Sequence, residues 1–226
     1  MAKKVASKHL INKHCKVELL VKPFDLVNLI MSKLNSTLFI FYAAKEYFEN
    51  GTNYASKYFK INKNGLVKPF DSVTHAKLCV PASNISFSLE LVFKALLMNN
   101  GVKKNLHDLY ELYILLPIEI KQKIILHYKN HNTYKDFVRI RLIESQENHH
   151  GEQQIVFNTL PAENFIPFML ETHKSAFINF RYLHEFNEKE EWYFFFKEFS
   201  NLTFSALTIL GESLNLKVVS VDTSSK

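Results

Sequence analysis

The segment Pro81-Ala-Ser-Asn-Ile-Ser-Phe-Ser-Leu-Glu-Leu-Val-Phe-Lys-Ala-Leu-Leu-Met-Asn-Asn-Gly101 decides how this chain folds. At about 100° per residue, Ile85, Leu89, Val92, Phe93, Leu96 and Leu97 fall on one helical stripe. Phe87, Leu91 and Met98 form a second stripe on roughly the opposite side. A helix that is apolar on two faces has neighbours on both, so this segment predicts a central helix. Ser83 is its expected N-cap and Gly101 its expected stop. Glu90 and Lys94 lie in the narrow gap between the stripes. There Glu90 is either half of a surface i,i+4 ion pair or a partly buried carboxylate that needs a cation.

Outward from this helix the pattern stays helical. Leu26, Leu29, Ile30, Leu34, Leu38, Phe41, Tyr42 and Phe48 recur at helical spacing from Phe24 to about Tyr58, where Asn50-Gly51 either ends one helix or merely interrupts a longer hairpin. Beyond Gly101, Asp108 is placed to cap a brief helix through Leu115, and Pro117 fits the start of the next, Ile118 to about Tyr128. His131 to Arg141 reads as a continuation, and 144–154 as a polar loop. Pro161 opens a long helix to about Phe186, and a last helix is expected over Trp192 to Leu210. The expectation is an all-α chain, an antiparallel helical bundle with flanking helices. Residues 1–22 are read as a basic lead-in, 23–216 as one domain and 217–226 as a flexible tail.

Composition narrows the chemistry. The chain has 226 residues, 47% of them hydrophobic, with 20 Phe and 10 Tyr, enough for one core packed through aromatic side chains. With only five Gly there is no GxGxxG or GxxxxGK[ST] segment, which removes dinucleotide and P-loop readings. The net charge of +6, concentrated in Lys3, Lys4, Lys8, Lys13, Lys16 and Lys22, is compatible with an anionic partner such as RNA. Cys15 and Cys79 form no CxxC pair. The N-terminus lacks an apolar signal core, and apolar runs such as Leu38–Ala44 and Trp192–Phe196 fall short of a membrane span. The expectation is a cytoplasmic protein without membrane contact.

The central helix followed by Leu106-His-Asp-Leu109 resembles the HEPN superfamily of small helical bundles, through Glu90, Lys94, Ala95, Leu96, Leu97, Gly101, His107, Asp108 and Leu109. Ala176-Phe-Ile-Asn-Phe-Arg-Tyr-Leu-His-Glu185 is similar to the Phe-x-x-x-Arg-Tyr-x-x-Glu segment of larger HEPN-like proteins. The resemblance implies an RNA-acting effector, a metal-independent ribonuclease or toxin of prokaryotic phage defence or toxin–antitoxin systems. It equally accommodates a non-catalytic RNA-, nucleotide- or protein-binding dimerisation module. It implies a homodimer, an antitoxin or nucleotidyltransferase-type partner, and no cofactor.

The family's Arg-x(4–6)-His motif is not met. Arg139 and Arg141 precede His149 by ten and eight residues, and only two residues separate Arg181 from His184. Arg181 and His184 share one helical surface and are the candidate catalytic pair, the imidazole moving a proton and the guanidinium stabilising phosphorane charge. Arg181 alternatively clamps Glu90 inside the bundle. Glu90, Lys94, His107, Asp108, His173, Tyr182 and Glu185 are candidates for RNA binding or structural support. His107-Asp108 reads as an acid–base dyad or as a cap. His127 and His131 have i,i+4 spacing but no third ligand follows and HExxH is absent, so no metal is expected.

Overall fold

The computed structural model describes residues 15–19, 34–58, 72–131, 138–141, 160–181 and 191–220. These are predominantly helical. In chain order they form β1 (Cys15–Leu19), α1 (Leu34–Tyr58), α2 (Ser72–Asn99), α3 (Leu109–Leu115), α4 (Ile118–His131), β2 (Val138–Arg141), α5 (Ala162–Thr172), α6 (Ala176–Arg181), β3 (Glu191–Phe194), α7 (Phe196–Ser213) and β4 (Leu216–Ser220).

Helix α2 is the centre, packed by α1, α3, α6 and α7. All six residues of the first stripe are buried, and Phe87, Leu91 and Met98 of the second are half-buried against neighbours. Between the stripes Ser88 is buried too, its hydroxyl donating to the Ala44 carbonyl of α1 at 2.7 Å. The segment Cys79–Asn99 is long and apolar enough to cross a membrane, but 67% of that window is buried inside the protein, as in a core helix.

The helix begins at Ser72, well before the expected cap Ser83, and carries Pro81 in its interior. Propensity disfavours an internal proline, but burial of Pro81, Ala82 and Ile85 in the contact with α1 outweighs the lost hydrogen bond. Its C-terminus matches expectation. Gly101 has φ +79, the Gly101 N–H donates to the Met98 carbonyl at 3.0 Å and the Val102 N–H to Leu97 at 2.8 Å. That is a Schellman closure, with Val102 packed back on the core.

Asn50-Gly51 does not end α1, which runs on to Tyr58. A Cβ on Gly51 would stand 2.8 Å from Ile85 Cγ1 and 3.3 Å from the Pro81 carbonyl, so glycine there lets the two helix backbones approach. Helix α7 is the second buried rod, enclosed at Phe199, Leu202, Ala206, Ile209 and Leu210. It packs on α1, α2 and α4.

Elsewhere the expected elements are revised. The long helix from Pro161 is two helices, broken by a turn at 173–175. The stretch expected as helix from Trp192 starts as strand β3, and β2 occupies the end of the expected 131–141 helix. These two pair antiparallel, Val138 opposite Phe194 and Arg141 opposite Glu191. Parts of the expected lead-in and tail also meet. Lead-in residues 15–19 pair antiparallel with 216–220, placing Glu18 opposite Lys217 and Val17 opposite Val218. Asn215, at φ 57, turns α7 into β4, a left-handed position asparagine tolerates. Apolar and charged residues alternate in Cys15–Leu19, and Val218 and Val219 add β-branched residues to the partner segment, which suits a ladder better than a solvated arm or tail.

Candidate functional site: a buried carboxylate and its imidazole

Glu90 sits midway along α2 with its side chain 1% exposed. A carboxylate there keeps its charge only with cationic donors beside it. Lys94, one turn on, places Nζ 2.7 Å from Glu90 Oε1. The same oxygen receives His107 Nδ1 at 2.9 Å. Oε2 is buried without a hydrogen-bond partner. The i,i+4 pair expected on the helix is therefore present, but inside the protein.

His107 reaches Glu90 because both ends of its loop are fixed. The Schellman closure reverses the chain after α2, and Leu106 packs on the core. Asp108 then caps α3, its Oδ1 accepting the Glu111 N–H at 3.0 Å. The Leu109 N–H donates to the Lys174 carbonyl at 3.0 Å, tying this cap to the turn between α5 and α6. Asp108 thus acts as a cap, and the carboxylate partner of His107 is Glu90.

An ionised carboxylate only accepts, so His107 donates through Nδ1–H and its neutral form carries the lone pair on Nε2. The His107 side chain is 55% exposed while its partner is buried. Lys103, Lys104 and Lys174 are exposed around the same loop. A solvent-facing imidazole of fixed tautomer, backed by a carboxylate and flanked by lysines, can hold an anion or transfer a proton at Nε2.

The other expected site residues fall differently. Arg181 closes α6, but its side chain, together with Tyr182, His184 and Glu185, lies outside the described residues. His173 is core: it is 5% exposed and packed edge-on to Phe194, Phe195 and Phe199, with centroids 5.4–5.6 Å away. Burial pushes its pKa down to about 3, so the ring is neutral at physiological pH. Phe177 stacks on Phe87 of α2 at 4.3 Å and Phe180 meets Phe194 at 4.9 Å, so this face of α6 is packing surface. Burial raises the Cys79 thiol to about 11, which makes it a poor nucleophile at neutral pH. No group of three or more metal-ligating side chains occurs among the described residues.

Sequence reasoning missed the Glu90–His107 contact. The available signal was a carboxylate with one helical cation, followed by a glycine stop and a histidine on a loop too short to leave that helix's end.

Fold and site together define a predominantly helical protein organised around an internal carboxylate with an exposed imidazole. Compared with protein-family models, with curated proteins and with solved structures, the chain shows no match.

Proposed function

We propose that this chain is a HEPN-like helical protein that acts on RNA through the edge formed by His107, Lys103, Lys104 and Lys174. The observation that carries the reading is His107 Nδ1 on the buried Glu90 carboxylate, which leaves Nε2 for a ligand beside three exposed lysines. The lysines hold phosphates. Nε2 takes the proton of a ribose 2′-hydroxyl while that oxygen attacks the adjacent phosphorus. The 5′-oxygen leaves with a proton from solvent, and a 2′,3′-cyclic phosphate remains. Such an effector suits phage defence or a toxin–antitoxin pair.

The test uses the full chain with labelled single-stranded RNA in EDTA. Binding is expected to weaken with salt. Lys103→Glu with Lys104→Glu should lower affinity at least tenfold and reduce the slope of log K against log salt by roughly 1.4. Cleavage to cyclic-phosphate ends should vanish in His107→Gln while the circular dichroism spectrum is kept. Absence of RNA binding sinks the proposal, whereas binding without cleavage selects the non-catalytic module. Exposed Ile114, Leu115 and Ile118 at the α3–α4 turn favour a dimerising form of that module, and sedimentation of Ile118→Lys tests it.

A further inference from the structure

The contact between α4 and α7 holds a second pair of imidazoles, remote in sequence from the Glu90 site. His127 and His131 stand one turn apart at the end of α4, their rings stacked with centroids 4.3 Å apart and planes 18° apart. One nitrogen of each ring is already committed. The Ser205 hydroxyl donates to the Asn201 carbonyl at 2.7 Å, so its 3.0 Å contact with His127 Nδ1 runs from Nδ1–H to the oxygen. His131 Nδ1 lies 2.8 Å from the His127 carbonyl, which only accepts, so that nitrogen is protonated as well. Both neutral rings are Nδ1–H tautomers with the lone pair on Nε2. Neither Nε2 meets a protein partner among the described residues.

We propose that His127 and His131 form a two-imidazole site for a borderline divalent transition ion of the Ni(II), Cu(II) or Zn(II) class. Metal-bound histidines usually donate their second ring N–H to a carbonyl or another oxygen, which fixes tautomer and orientation. Here Ser205 Oγ, on the packed helix α7, already holds His127 in that way. Phe204 walls the pair at 5.6 and 5.8 Å and is backed by Phe48. His131 is exposed, so its ring can leave the stack and the His127 carbonyl to turn Nε2 towards an ion held at His127, with water in the remaining positions. Imidazole ligation without a carboxylate selects against Mg(II) and Ca(II).

Metal-stripped full-length protein titrated with NiCl2 at pH 7.5 in a calorimeter tests this. One ion per chain is expected at this site, with a rise in Tm. His131→Gln should abolish it, and Ser205→Ala, which touches no metal, should weaken it about tenfold. Copper EPR should show coupling to two nitrogens. Replacing His149 and His150 by alanine should leave the binding unchanged. Binding that survives His131→Gln, or that disappears only with His149 and His150, overturns the proposal. So does the absence of any Ni(II) or Cu(II) binding.

Discussion

Glu90 Oε1 lies 2.9 Å from His107 Nδ1, joining the middle of the central helix to a loop seventeen residues further along the chain. The carboxylate is buried and the imidazole half-exposed, so the interior of α2 fixes the orientation of a group that solvent can reach.

The charge balance at Glu90 sets the first prediction. Removing one partner of a buried ion pair costs about 3–5 kcal/mol when both are fully enclosed. Lys94 is 18% exposed, and solvent screening lowers the expected cost of Lys94→Met to about 1–3 kcal/mol. Adding Glu90→Leu should restore much of the loss, because no buried charge is then left unpaired. Urea denaturation of the three variants measures the coupling. Strictly additive losses would show that the pair is not coupled.

The tautomer of His107 follows from the same contact. Long-range 15N–1H spectra at high pH should show Nδ1 protonated and Nε2 bare. In Glu90→Leu the preference should relax towards the Nε2–H form. A wild-type ring protonated at Nε2 alone would mean that His107 does not donate to Glu90.

His173 gives a pH dependence. Its folded pKa, about 3, lies below the unfolded value near 6.5, so above pH 6.5 the ring is neutral in both states and stability is unaffected. As pH falls from 6.5 towards 3 the unfolded chain binds a proton that the folded chain refuses. Stability then falls by up to about 1.4 kcal/mol per pH unit. His173→Phe keeps an aromatic ring and should flatten this part of the acid limb relative to wild type. Parallel profiles for the two proteins would refute the assignment.

Gly51→Ala inverts a usual rule. In an exposed helix the change gains about 1 kcal/mol. Here the new methyl meets Ile85 Cγ1 at 2.8 Å and Pro81 backbone at 3.3 Å, so α1 and α2 must separate. A destabilisation of about 1–3 kcal/mol is expected. A higher midpoint in chemical denaturation would contradict the close approach.

Legibility in the sequence tracked how local the governing interaction was. The double stripe of α2, the Gly101 stop and the Asp108 cap depend on residues within a turn or two, and all three occur in the fold. The start of α2 did not read correctly and the continuity of α1 was left open, because Pro81 and Gly51 carry local signals for breaks that packing between the two helices overrides. The aromatic run from Trp192 reads as helix, but pairing with Val138–Arg141, over fifty residues earlier, makes its start a strand.

By itself the sequence determined a helical core and the helix that forms its centre, with the Glu90–Lys94 pair on it, since hydrophobic periodicity and i,i+4 spacing are written in neighbouring residues. Only the tertiary structure decided that Glu90 is buried and that the His107 imidazole meets it from outside the helix. It likewise decided that residues 15–19 and 216–220 meet, and that His173 is an interior ring. Those outcomes rest on burial and on hydrogen bonds between distant segments, whose energies depend on the spatial neighbours of a group and not on its position in the chain.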